Sequence, residues 1–560
     1  MAEHFDLLVR GGTLIDGTGA PRERGDIGVR NGRIAAMGKL NGSADREIDA
    51  TDCVVSPGFI DIHTHYDAQV MWDRMLTISP WHGVTSVVVG NCGFGIAPTR
   101  EKHRELILRT LENVEGMSYE ALQTGVGDDW GFESFPEYLD AVERQGVAIN
   151  FAVLLGHTPL RIFVMGEEAT EREATEAEIE QMKVLTREGL AAGALGFATS
   201  KAPTHVGYAG RPVPSRAASF EEIAAIASCL RDFDHGIMQA TVGPGFFFEQ
   251  FAQIAAQTQK PLSWTALLAG MAGPGSHRAF LQEGDKLLAQ GFEVHPQVTC
   301  RPLNFEFQFS APFPFESLPY FKQVSQADLE GKKRIYADAA FREEFRAKQP
   351  GGITGNWDDT VISECPEDPS LNERCVTEVA AERNLHPADL VLDLALASNL
   401  EARFRMAIFN TDEEAVAELL THPGVVLGLS DAGAHASQLC DACFSTHLLS
   451  HWTRDKGVLE LEQAVRLLTS QSADVFGIRD RGRLKVGLAA DLAVFDPDLV
   501  GCSPLRRVND LPGGGDRLIA DATGMRAVVV NGQQIRKEDK DAIDLEGPLP
   551  GRLLRKGVAA

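Results

Sequence analysis

The chain has 560 residues, a formal net charge of -26, and ordinary fractions of hydrophobic (44%) and charged (24%) residues. That length suits one large domain with a smaller companion, and the charge excludes a nucleic-acid partner, which needs a basic face. No apolar run reaches the roughly 18 residues of a membrane span, the start Met1-Ala2-Glu3-His4-Phe5-Asp6 has no signal-peptide pattern, and nine scattered cysteines fit reduced thiols in a cytoplasm.

Residues 1–57 read as short strands and turns, with a hairpin dipeptide at Asn31-Gly32. Residues 482–540 have the same texture, with a strand near Leu492–Phe495 and another from Met525 to Val530 closed by Asn531-Gly532. The two ends are expected to pair into one β-sandwich, leaving 541–560 as a weakly patterned tail. Between them, 58–481 alternates apolar strands with amphipathic helices. Strand candidates are Phe59–His65, Gly83–Gly90, Ala148–Gly156, Ala194–Thr199, Gly236–Ala240, Pro261–Thr265, Glu293–Val298 and Gly424–Ser430. Eight such strands with helices between them predict an α/β fold, a TIM-like (β/α)8 barrel whose chemistry sits at the strands' C-terminal ends. The interval 300–400 breaks the rhythm and reads as an insertion before the last barrel strand. Its aromatic residues, Phe305, Phe307, Phe309, Phe313, Phe315, Tyr320 and Phe321, form either a wall over the substrate or a satellite core. Gly243-Pro244-Gly245-Phe246-Phe247-Phe248 reads as a second aromatic loop near the same mouth.

The residues at the strand ends carry the chemistry. His63 and His65, two apart on one strand, would project from the same face. Cys92 follows the second strand, His157 the third, Lys201 and His205 the fourth, and Asp431 the eighth. Two neutral imidazoles, a thiolate and a carboxylate at one rim make a donor set suited to zinc. Asp431 can ligate, act as general base on a water, or do both. His157, Lys201 and His205 are the candidate substrate contacts, with a satisfied core histidine as the alternative for His157. His295, beside Pro296, is read as able to face the pocket, and His435 and His447 as structural. Cys440-x-x-Cys443 is a thiol pair without a second pair or ligand histidine nearby, so it carries little weight.

The chain resembles the amidohydrolase superfamily and, within it, the D-aminoacylase (N-acyl-D-amino-acid deacylase) family. The resemblance rests on Pro57-Gly58-Phe59-Ile60-Asp61-Ile62-His63-Thr64-His65, Gly90-Asn91-Cys92-Gly93, Leu155-Gly156-His157, Val164-Met165-Gly166, Gly193–Thr199, Ser430-Asp431 and the closing Gly482–Phe495 stretch. It implies a barrel flanked by a sandwich from both termini, and hydrolysis of the amide of an N-acyl-D-amino acid by one or two divalent ions, foremost zinc. The family also places a metal-binding histidine after strands five and six. Here those segments read Ile237–Gly243 and Leu262–Leu267 and contain none, so the metal is expected to rest on His63, His65 and Asp431, with or without Cys92. The arginine the family uses for the substrate carboxylate is missing too; Lys201, His205 or Arg301 stand in as candidates. Lys201 lies near where many amidohydrolases carry a carboxylated bridging lysine, but a substrate-side cation or a salt bridge is preferred. The expected partner is a small acylated molecule, with self-association left open. The alternatives are another bond on the same fold (cyclic imide, lactone or carbamate) and a scaffold that has lost its metal.

Overall fold

The computed structural model describes residues 3–316, 318–348 and 356–559. Met1, Ala2 and the side chain of Phe313, read above, lie outside them. Eight strands form one parallel sheet in strict chain order: β1 (Phe59–Asp61), β2 (Val84–Val89), β3 (Asn150–Gly156), β4 (Gly196–Ser200), β5 (Ile237–Thr241), β6 (Leu262–Thr265), β7 (Val294–Val298) and β8 (Val426–Leu427). The edges meet beyond the ends of β1 and β8, where Thr64 and Ala432 form a parallel bridge. The (β/α)8 expectation is met.

Both faces of this sheet are apolar, as a parallel sheet covered by helices requires. Ile60, Val88, Ala152, Leu154, Ala198, Ile237 and Val426 form one buried cluster across neighbouring strands. Their strand neighbours Phe59, Val87, Val89, Phe151, Val153, Leu155 and Phe197 belong to the larger core that packs against the helices. β1 is shorter than the sequence suggested. It ends at Asp61, so strand alternation does not by itself aim His63 and His65. They lie in the extended segment beyond, pinned by Thr64 N to Val88 O (3.1 Å) and His65 N to Ala432 O (2.7 Å).

The two chain ends do pair. Val54–Pro57 runs antiparallel to Leu492–Phe495, with Val55 opposite Val494. A nine-stranded sheet continues from there through both terminal segments. The last described residues are held in place. Phe151 bridges Leu553, Leu554–Arg555 pairs with Val558–Ala559, and Leu554 joins the Ile60–Val426 cluster at 1% exposure. A ten-residue stretch with two leucines shows no periodicity to read, yet it closes the barrel's N-terminal end.

The insertion between β7 and β8 builds its own antiparallel sheet from Leu303–Gln308, Arg403–Phe409, Thr360–Glu364 and Arg374–Cys375. Phe307, Phe309, Phe315, Phe321, Phe345 and Phe404 form its satellite core. Phe305 differs: its ring meets His435 edge-on at 5.7 Å. Phe247 and Phe248 do not line the mouth, because they pack on Trp264 and Phe280.

Candidate active site

His63, His65 and Cys92 bring one ligand atom each to within 4.8 Å of one another, the one such group of His, Cys, Asp and Glu among the described residues. All three are buried. Cys92 reaches this place through a tight turn, Gly90-Asn91-Cys92-Gly93, in which Gly90 (φ 84°), Cys92 (φ 56°) and Gly93 (φ 72°) are left-handed. A Cβ on Gly90 would stand 2.1 Å from the Leu154 carbonyl oxygen, so only glycine passes there. Asp431 arrives on another left-handed turn (φ 47°) just beyond β8. Ser430 ties that turn to β1: its hydroxyl donates to Asp61 Oδ2 (2.5 Å) and to His63 O (3.2 Å). Burial pushes the Asp61 carboxyl up to about 7, although the Ser430 hydroxyl works against the shift.

His63 Nε2 lies 3.5 Å from Cys92 Sγ and 3.3 Å from Asp431 Oδ1. His65 Nε2 is 3.7 Å from the same Oδ1. A tetrahedral zinc ion with Zn–S of about 2.3 Å and Zn–N or Zn–O of about 2.0–2.2 Å sets its N and S ligands about 3.5 Å apart and its N and O ligands about 3.4 Å apart. The His63–Cys92 and His63–Asp431 spacings fit that ion.

The far side of each ring is held as well. His63 Nδ1 donates to Gln297 Oε1 (2.7 Å) on β7. Because a carboxamide oxygen only accepts, this fixes the tautomer that leaves the Nε2 lone pair facing Cys92 and Asp431. His65 Nδ1 faces Glu115 Oε1 at 3.3 Å. Glu115 is the last residue of the helix Arg104–Glu115 and is 4% exposed. A carboxylate is ill placed at a helix C-terminus, and His65 is its compensating partner. Burial disfavours the imidazolium at both rings, but Cys92 and Asp431 raise His63, and Glu115, Asp431 and Cys92 raise His65 well above the usual value. Burial likewise opposes the Cys92 thiolate, yet the imidazoles bring it down to about 7. They hold Asp431 far below the usual carboxylate range against its burial.

Where family histidines were expected after β5 and β6, uncharged groups satisfy one another. Gln239 Oε1 accepts from Cys92 N (2.7 Å), Gln239 Nε2 donates to Thr265 Oγ1 (3.2 Å), and Thr265 Oγ1 donates to Thr241 Oγ1 (3.0 Å). These side chains brace the cysteine turn and offer no second ligand set.

The three expected substrate contacts divide. His205 lies by the cluster, its ring 5.1 Å from that of Phe94, which is 6.1 Å from that of His65. Ser200 Oγ takes its Nδ1 at 2.7 Å. Burial, with His435 and His65 nearby, lowers it to about 3, so it is neutral at pH 7. His157 is fully buried, with Nδ1 on Thr199 Oγ1 (2.8 Å) and Nε2 on Glu222 Oε1 (2.9 Å). Neither nitrogen is left for a substrate, so the core alternative describes it. Lys201 Nζ donates to Arg216 O (2.6 Å) and Ala218 O (2.7 Å), anchoring a loop rather than facing the cluster. Arg301 pairs with Asp441 at 2.6 Å. His295 bonds Gly424 O (3.0 Å) near the start of β7, away from the mouth. Gln297 and Glu115 were missed. Gln297 sat in a strand where only His295 was weighed for the pocket, and Glu115 sits in a stretch that carried no motif.

The amidohydrolase family model matches residues 46–292 and 367–536. D-aminoacylase of Alcaligenes xylosoxydans xylosoxydans is 31% identical over 568 aligned positions, covering 100% of this chain and 99% of that protein. The crystal structure of N-acyl-D-glutamate deacylase from Bordetella bronchiseptica, complexed with zinc and a phosphonate inhibitor, superposes with a TM-score of 0.68 at 27% identity, covering 99% of this chain and 100% of that one. A structure of D-aminoacylase described by its binuclear metal centre gives a TM-score of 0.66 at 27% identity over 98% and 100% of the two chains. The chain belongs to the amidohydrolase family. Within it, the chain is a D-aminoacylase-like hydrolase of carbon–nitrogen bonds other than peptide bonds. No helix among the described residues is long and apolar enough to cross a membrane.

Proposed function

We propose that this enzyme removes the acyl group from an N-acyl-D-amino acid, using one divalent ion, zinc by its donor set, at His63, His65, Cys92 and Asp431. The observation that carries this reading is the convergence of His63, His65 and Cys92 at the C-terminal mouth of the barrel, with Asp431 Oδ1 beside the two imidazoles and His63 holding Cys92 and Asp431 each at a spacing a tetrahedral ion accepts. Such an ion, when bound, polarises the scissile carbonyl and lowers the pKa of a water. The chain's own groups do the rest. Gln297 fixes the His63 ring, and Glu115 stands 3.3 Å from His65 Nδ1, on the side away from the Nε2 that faces Asp431. Asp431, whose carboxylate stays ionised, accepts the proton of the attacking water and delivers it to the leaving nitrogen. His205 keeps Nε2 free of partners among the described residues and is the neutral donor for the acyl oxygen.

One observation favours a second reading, a substrate without a carboxylate such as a cyclic imide. The cations proposed for that carboxylate are engaged, Lys201 with backbone carbonyls and Arg301 with Asp441. The test is a panel of N-acyl-D-amino acids, N-acyl-L-amino acids and cyclic imides, assayed on zinc-reconstituted protein. Turnover confined to the D-acyl compounds supports the first reading. Turnover of imides alone replaces it with the second.

A further inference from the structure

The cations weighed for a substrate carboxylate are engaged elsewhere, but one donor at the mouth is not. His435, read from the sequence as structural, follows Asp431 by four positions. The two share one tight turn, in which Ala434 N donates to Asp431 O (2.8 Å) and both residues are left-handed, at φ 47° and 50°. Non-glycine residues held in that conformation cluster at active and ligand-binding sites. The backbone around His435 is clamped from three sides. Ala436 N donates to Glu115 O (3.1 Å), Leu518 N to Ala436 O (2.8 Å) and Glu306 N to Gln438 O (2.7 Å). A Cβ on Gly116 would stand 3.1 Å from His435 Cα, so the end of the helix that carries Glu115 packs directly against it.

The backbone is fixed, while the imidazole is left over. It is half-buried, and neither ring nitrogen has a hydrogen-bond partner among the described residues. Phe305 meets the ring edge-on at 5.7 Å and, being apolar, fixes its place without supplying an acceptor. Phe305 lies on the insertion strand Leu303–Gln308, which begins just past the mouth end of β7. Both rings therefore stand at the rim where the strand ends converge. In keeping with that place, His435 acts electrostatically on both Asp431 and His205.

We propose that His435 holds the α-carboxylate of the substrate by donating an imidazole N–H to it, with Phe305 fixing the ring; this rests on the deacylase reading above. Asp431 hands its proton to the leaving nitrogen, and the carbon next to that nitrogen bears the carboxylate. A donor on Asp431's own turn is therefore on the amine side of the scissile bond. His205 follows β4, which stands opposite β8 in a closed eight-stranded barrel, and so faces the acyl side. An N–H bond to an ionised carboxylate is stronger and more directional than one between neutral groups. With His435 in this role the carboxylate has a partner although Lys201 and Arg301 are engaged.

The test is calorimetric binding of N-methanesulfonyl-D-leucine and of its α-carboxamide to zinc-loaded full-length protein. A sulfonamide is not deacylated, so binding is read apart from turnover. The unmutated protein should prefer the acid. His435→Phe keeps an aromatic ring against Phe305 and removes both nitrogens, and it should cut that preference about 10-fold or more, the worth of one hydrogen bond to a charged group. His435→Gln, which keeps an N–H donor, should recover part of it. An undiminished preference in His435→Phe would overturn the proposal. So would no preference for the acid in the unmutated protein, whatever the variants do. Hydrolysis of N-acetyl-D-leucine, assayed beside it, keeps the two readings apart. Cleavage with a preference that ignores His435 removes the contact and leaves the deacylase. Acid binding that depends on His435, without cleavage, supports the contact and removes the deacylase.

Discussion

Gln297→Met tests the link between barrel packing and the metal site. The substitution keeps the side chain's length but removes the carboxamide. His63 Nδ1 loses its acceptor at 2.7 Å, and Ser263 Oγ loses the donor at 3.0 Å. Both groups are buried, and an unsatisfied buried polar group costs about 1–3 kcal/mol. The second effect is on the ion: the ring is no longer held in the tautomer that leaves Nε2 free. Losing such a partner weakens metal binding about 10–100-fold, or about 1.4–2.7 kcal/mol. The assay is a competition titration of metal-stripped protein with zinc against a chromophoric chelator, alongside thermal unfolding of the metal-free form. Both should fall in Gln297→Met, and Gln297→Glu, which restores an acceptor, should recover much of the affinity. Unchanged zinc affinity beside lowered thermal stability would refute the reasoning, because Gln297 would then serve packing alone.

In the metal-free protein His63 is raised and His65 is raised well above the usual histidine value, so an ion must displace protons as it binds. Zinc affinity should fall as pH falls, by about one log unit per pH unit for each proton displaced. Calorimetry in buffers of different ionisation enthalpy should show protons released at pH 7, and zero release would contradict the ligand set. The sign for the metal-free fold is opposite: the raised imidazoles stabilise it fully below about pH 6.5, and that contribution is lost as pH rises through their folded values. Cobalt-substituted protein should show a sulfur-to-metal charge-transfer band that Cys92→Ser abolishes; a band surviving in the variant would remove Cys92 from the site. Leu554→Ala should cost about 2–5 kcal/mol in thermal unfolding with kcat unchanged, since Leu554 sits at the barrel end opposite His63; an unaltered unfolding profile would show that the C-terminal segment does not contribute.

Much of this was legible because local signals and the fold agreed. Eight apolar strands separated by helices specify a barrel, and a barrel places residues that follow strands at one rim. That alone gathered His63, His65, Cys92 and Asp431. Paired terminal strands were readable from hairpin chemistry at Asn31-Gly32 and Asn531-Gly532. What failed to show was whatever depends on a distant partner. His157 and Lys201 sit at the right strand ends, but Glu222 and two backbone carbonyls claim them. Glu115 and Gln297 are ordinary in sequence and stand out only where His65 and His63 meet them.

The most direct measurement is the turnover number of zinc-loaded Asp431→Asn protein on the best substrate of the panel, taken with its zinc content. Asparagine keeps the shape but cannot accept the proton, so kcat should drop about 10²–10⁴-fold while His63, His65 and Cys92 still retain one ion per chain. A variant that holds its zinc and turns over at close to the parent rate would contradict the account.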